Sequence, residues 1–143
     1  MGRPDQNNVD KIFLALVLWR EARGASDECK TAIAYSVLNR VEHPKWWGTT
    51  VQDVLFKREQ YSSMTHKGDV QLVTWPISKE ESWLRCIYIA SDVIDKVVMN
   101  PTTGADSYYD TSIDEPEWAK RSLFVKQIDN VRFYDTDKDS EDA

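Results

Sequence analysis

The sequence predicts an α+β domain, mostly helical, with a small antiparallel sheet or hairpin near its end. Apolar residues recur at spacings of three and four through long stretches before residue 100, as in helices with one buried face. Two strand-like runs, Leu123 to Ile128 and Val131 to Tyr134, flank Asp129-Asn130 and read as a hairpin. The length of 143 residues, 41% hydrophobic and 29% charged, fits one domain with a core of its own.

Residues 1–8 are polar and expected to be flexible, with Asn8 capping a helix that opens at Val9. Val9, Ile12, Phe13, Leu16 and Val17 repeat at helical spacing while Leu14, Ala15 and Leu18 fill other faces, so this helix is largely buried and Gly24 stops it. Ser26 caps a second helix, with Asp27 and Glu28 in its first turn where the dipole favours negative charge, ending near Val41. Cys29, Ile33, Ala34, Val37, Leu38 and Val41 form its apolar stripe and leave Ser36, Asn39 and Arg40 on a side that could face a cleft.

Beyond His43 the periodicity weakens. A short helix fits Val51 to Phe56, and strand-like pieces surround Tyr61 and Val70 to Trp75. Ser78-Lys79-Glu80-Glu81 has the form of a capping box, and Trp83, Ile87, Ala90, Ile94 and Val97 then predict a long central helix running to Asn100-Pro101. Residues 135–143 form an acidic run without apolar anchors and read as a disordered tail. The folded domain is therefore expected over 9–134.

Several function classes are excluded by composition. Lys plus Arg number 18 against 24 Asp plus Glu, and a net charge of -6 offers no basic face to a nucleic acid. The apolar run Ile12 to Trp19 is far short of the roughly 20 residues that span a bilayer, so no membrane insertion is expected. Asp5 and Asp10 before that run, and Trp19-Arg20-Glu21 after it, are not the flanks of a signal peptide. With two His and no C-x-x-C, neither a metal nor a cofactor is expected. Cys29 and Cys86 each fall on a predicted helix among apolar neighbours, as buried small hydrophobes or as a disulfide.

Glu21 stands out. It leaves an apolar helix at the C-terminal end, where unpaired carbonyls and poor solvation both disfavour a carboxylate and raise its pKa. An acid still protonated near neutral pH can protonate a glycosidic oxygen as the bond breaks. The alternative is a helix-end carboxylate paired with Arg20, Arg23 or Arg40.

Glu21-Ala22-Arg23-Gly24, then Ala32-Ile33-Ala34 leading to Leu38-Asn39-Arg40-Val41, resembles the opening of the cell wall hydrolase family typified by the spore-cortex-lytic (SleB-like) enzymes. Gln60-Tyr61-Ser62, Gly104-Ala105 with Tyr108-Tyr109, Pro116-Glu117-Trp118-Ala119 and Ile128 to Tyr134 resemble its later segments in the same order, over roughly residues 12 to 134. The chain departs from that pattern at Ala25, where the family often has an acid, and at Ser107 and Val131, where it often has histidines.

The resemblance implies a lysozyme-like fold and cleavage of bacterial peptidoglycan between N-acetylmuramic acid and N-acetylglucosamine, with Glu21 as the catalytic acid. It marks Asn39, Gln60, Tyr61, Ser62, Tyr108, Tyr109 and Trp118 as candidate substrate contacts. Flat aromatic faces, Trp46-Trp47 among them, stack on the apolar face of a sugar ring, though each fits core packing as well. Asn39 and Gln60 suit acetamido groups or the orienting of Glu21, or else ordinary helix-end and turn hydrogen bonds. No function is assigned to His43 or His66.

A hydrolase needs a second carboxylate, for which Asp27, Glu28, Asp53 and Glu59 are candidates; a lytic transglycosylase does not. The implied reaction is accordingly lytic transglycosylation, with hydrolytic muramidase activity or a non-catalytic wall-binding module as alternatives. A monomeric bacteriophage endolysin, held in the host cytoplasm until release onto the wall, is the expected setting.

Overall fold

The computed structural model describes residues 4–58 and 60–137. Helix α1, Pro4–Ala22, is apolar on every side over its second half, where Leu14, Ala15, Leu16, Val17, Leu18 and Trp19 are all buried, whereas Val9 and Ile12, expected in the buried stripe, are exposed in its polar first half. It begins five residues before the expected Val9, so part of the stretch expected to be flexible is helical. Proline at a first helical position sacrifices no hydrogen bond, and Gln6 Nε2 donates to Asp10 Oδ1 at 3.1 Å one turn on.

Helix α2, Asp27–Glu42, opens at Ser26, whose hydroxyl accepts from the Cys29 amide at 3.2 Å as expected of an N-cap. It too is buried over most of its length, from Cys29 to Arg40. Short helices α3, Val51–Leu55, and α4, Ser62–Thr65, are followed by a single 3-10 turn, Val70–Val73. The strands expected around Tyr61 and 70–75 are thus helical turns. Val70 and Val73 are exposed, so nothing rewards an extended pairing there.

Helix α5 is Glu81–Ile94, shorter at both ends than the capping box and Pro101 suggested, and it lies against α1 rather than at the centre. Its start is displaced because the Glu80 carboxylate accepts from Trp19 Nε1 at 2.6 Å and from the Ser82 hydroxyl, which fixes Glu80 as the cap. Its end is set by Lys96 at φ 57°, with Lys96 N bonding Val93 O and Val97 N bonding Asp92 O, both at 3.0 Å. That paired closure satisfies the last carbonyls without glycine.

The sheet comprises β1, Ser107–Asp110, β2, Phe124–Ile128, and β3, Val131–Tyr134, in the antiparallel order β1-β3-β2. Asp129 takes φ 53° in the turn between β2 and β3, as a two-residue hairpin requires. One core joins α1, α2 and α5 to the sheet through Ile128, Val131 and Phe133; Tyr109, Ala119, Leu123 and Tyr134 form a smaller cluster on its other side.

The chain is fastened beyond residue 134. Thr136 N and Oγ1 donate to Asp106 Oδ1 at 3.1 and 2.8 Å, and Lys45 pairs with Asp137 at 3.1 Å. The expected tail therefore does not begin at 135; residues 138–143 lie outside the described ones, as do 1–3. Cys29 and Cys86 are buried free thiols, pushed up to about 12 and about 11 chiefly by burial. No described helix is long and apolar enough to cross a membrane, and no described cluster of His, Cys, Asp or Glu is arranged to hold a metal.

Candidate active site

Glu21 sits in the last turn of α1, at the opening between the helices and the sheet. Ser63 Oγ donates to its Oε2 at 2.8 Å and the Tyr108 hydroxyl donates to its Oε1 at 3.0 Å. The first donor comes from α4 and the second from β1, so the carboxyl bridges the two halves of the domain.

No described cation lies within ion-pair distance of Glu21. Arg20 turns away, donating to Ser63 O at 2.9 Å and Thr74 O at 3.2 Å while its guanidinium lies 4.6 Å over the Trp75 ring. Arg23 stacks on Trp19 at 4.2 Å and bonds Gln71 at 3.0 Å. Arg40 lies over Trp47 at 4.9 Å and Tyr61 at 5.7 Å, its Nε donating to Asp106 O at 2.7 Å. Pairing with Arg20, Arg23 or Arg40, the alternative reading of Glu21, does not occur.

Glu21 is exposed towards the groove, yet protein packs closely around its carboxyl, and this desolvation raises its pKa. The two hydrogen bonds pull the other way, favouring the carboxylate, and the nearby negative Asp69 adds to the rise. Asp69 is held below the usual carboxylate range by the Ser62 hydroxyl at 2.6 Å and the Gln71 amide at 2.8 Å, so it stays charged. Burial raises the phenol of Tyr108 well above its ordinary value, with Glu21 adding to the effect, so it keeps the proton it donates. The Tyr61 phenol is likewise raised by burial.

Two cavities meet at Glu21 and Tyr108. One, about 720 Å³, is lined by Trp46, Trp47, Tyr61, Tyr109 and Trp118 together with Gln60 and Arg40. The other, about 590 Å³, runs past Gly24 towards Asp110 and Asn130 and holds no aromatic ring besides Tyr108. The carboxyl, with Tyr108, thus lines both cavities.

Of the residues expected to touch substrate, Gln60, Tyr61, Tyr108, Tyr109 and Trp118 line this groove with Glu21, and Trp46 and Trp47 join them. Asn39 does not line it: its side chain is 8% exposed and donates to Ala105 O at 2.7 Å and Thr103 O at 3.3 Å, tying α2 to the loop before β1. Ser62 does not line it either, since its hydroxyl belongs to Asp69. Sequence reasoning missed Ser63, one residue past the recognised Gln60-Tyr61-Ser62 segment, and Asp69, for which no sequence signal existed. It also missed Lys45, Ile113, Pro116 and Thr136 along the wall.

The described second-carboxylate candidates are elsewhere. Asp27 faces Arg85 at 3.5 Å, Glu28 faces Lys126 at 3.7 Å, and Asp53 lines a separate hollow. Glu59 lies outside the described residues.

Helices packed on a small antiparallel sheet, with a groove between them and an unpaired carboxyl at its middle, define a lysozyme-like domain. The chain belongs to the cell wall hydrolase family, which it matches over residues 24–134. Glu21 falls just before that span, so its role rests on the geometry. The fold is similar to the catalytic domain of the germination-specific lytic transglycosylase SleB from Bacillus anthracis, at 23% identity and a TM-score of 0.69 over 90% of this chain and 94% of that one. It is similar as well to the catalytic domain of the Bacillus cereus SleB protein, at 23% identity and a TM-score of 0.69 over 93% and 98%. No curated protein matches the chain.

Proposed function

We propose that this protein cleaves peptidoglycan glycan strands between N-acetylmuramic acid and N-acetylglucosamine as a lytic transglycosylase, with Glu21 as acid and then base. The observation that carries this is Glu21 itself: a carboxyl without a cation, its pKa raised, oriented by Ser63 and Tyr108 where the two arms of the groove meet. A bond broken there has a sugar on either side.

Protonated Glu21 gives its proton to the glycosidic oxygen as the bond from the muramyl C1 breaks, and N-acetylglucosamine leaves as an alcohol. The carboxylate left behind takes the proton of the muramyl C6 hydroxyl as that oxygen bonds to C1. An anhydro sugar results, water is not consumed, and Glu21 ends protonated as it began. Trp46 and Trp118, the exposed rings of the lining, offer faces to the glycan, backed by the buried Tyr61 and Tyr109, and Gln60 offers an amide to its acetamido groups.

A hydrolytic outcome is the second reading, favoured by Asp69. It is the carboxylate whose charge reaches Glu21, and it stays ionised. The endolysin setting is part of the proposal, and expression inside bacteria with a pore-forming protein tests it, lysis being expected.

Digestion of purified peptidoglycan by the wild type and by Glu21→Gln, with mass analysis of the fragments, tests the chemistry. Muropeptides lighter by one water than reducing ones support transglycosylation, and reducing ones support the hydrolytic reading. Glu21→Gln is expected to lose about 10² to 10⁴-fold in rate, and full activity in that variant would overturn the assignment.

A further inference from the structure

On the other side of Trp46 and Trp47 from the groove lies a separate hollow of about 490 Å³, which the cleavage chemistry does not use. Trp46 and Trp47, their rings 5.4 Å apart, line both spaces. The hollow exists because Gly48 lets the loop lie on α3. Its φ is 118°, and a Cβ there would stand 2.5 Å from the Asp53 Cβ.

Its lining combines two exposed rings, Trp46 at 56% and Phe56 at 42%, with the cations Lys57 and Arg58. No ion pair joins either cation to an acid among the described residues. Asp53 is the one acid among the described residues of the lining. In a chain of net charge -6, two exposed cations beside aromatic surface, in a hollow that shares Trp46 and Trp47 with the groove, suit an anionic peptide attached to the glycan.

We propose that this hollow binds the peptide stem carried by the muramyl residue, with Lys57 and Arg58 facing the stem's free carboxylates and Trp46 and Phe56 covering its apolar side chains. The inference rests on the reading of the groove as a peptidoglycan site. It makes the protein selective for peptide-bearing strands over bare glycan.

The test compares rates on two preparations, both freed of other wall polymers: peptide-bearing peptidoglycan, and the same strands after an amidase has removed the stems. The wild type should favour the first by roughly five-fold, the size that two exposed charge contacts provide, and the preference should shrink as salt rises. Lys57→Glu with Arg58→Glu should bring the ratio close to one with an unchanged melting temperature, since both side chains are exposed. A wild-type ratio near one, or a variant that keeps the wild-type ratio, would overturn the stem site while leaving the cleavage reading standing. Failure to cut either preparation would overturn the cleavage reading and this inference together.

Discussion

The hydroxyl of Ser63 sits 2.8 Å from Oε2 of Glu21, and the residue that holds Ser63 there is Glu21's own neighbour, Arg20, which grips the Ser63 carbonyl at 2.9 Å. One helix end thus supplies both the acid and the clamp for its hydrogen-bond donor. Asp69 acts on the same carboxyl from further off, through charge.

These two influences have opposite signs, which the pH dependence of turnover reads directly. The Ser63 bond favours the carboxylate, so Ser63→Ala should raise the pKa of Glu21 and move the alkaline limb of kcat/KM to higher pH. Asp69 disfavours the carboxylate, so Asp69→Asn should move the same limb to lower pH. Shifts in the same direction would show that the limb does not report Glu21.

Glu21 should also cost the fold stability at neutral pH. Its native pKa lies above the ordinary 4.5, so between the two values the folded protein holds a proton that the unfolded chain has released, and stability falls as pH rises through that window. Glu21→Gln stays neutral and escapes the loss. Its melting temperature should match the wild type below about pH 4.5 and exceed it above the native value. A constant gap at every pH would place the stabilisation elsewhere.

Much of this was legible in the residues. The all-round apolar Leu14 to Trp19 and the Ser26 cap located α1 and α2, and Asp129-Asn130 located the hairpin, because each is decided by local periodicity or turn chemistry. The stretch from Lys57 to Glu80 was not legible. Its turns are fixed by long-range bonds such as Arg20 to Ser63 O and Trp19 to Glu80, which leave no periodic trace. Asn39 shows the same limit within the site: its place on α2 was readable, but not that Thr103 and Ala105 would present carbonyls to it.

Asn39 therefore separates a structural role from substrate contact. Asn39→Ala leaves the Ala105 carbonyl in a buried corner without its donor, while Thr103 O keeps the Asn100 side-chain amide, and this should cost about 1 to 3 kcal/mol. For a domain of this size that lowers the melting temperature by several degrees, roughly 2 to 8 °C. KM for peptidoglycan should stay near the wild-type value once the protein is folded. A large rise in KM with no loss of stability would return Asn39 to the list of substrate contacts.

Trp118 and Tyr134 touch edge to face at 5.5 Å, yet their truncation should read out in different quantities. Tyr134 is 1% exposed and supports the Tyr109, Trp118 and Phe124 rings, so Tyr134→Ala opens a cavity worth about 3 to 5 kcal/mol of stability. Trp118 is 38% exposed on the groove wall, and its free surface is available to a sugar ring. Stacking of that kind acts on bound substrate and transition state alike. Trp118→Ala should therefore raise KM by roughly five-fold while kcat changes little. Steady-state kinetics on purified peptidoglycan, paired with thermal melts, separates the two residues; an unchanged KM in Trp118→Ala would confine that ring to packing beside Tyr134.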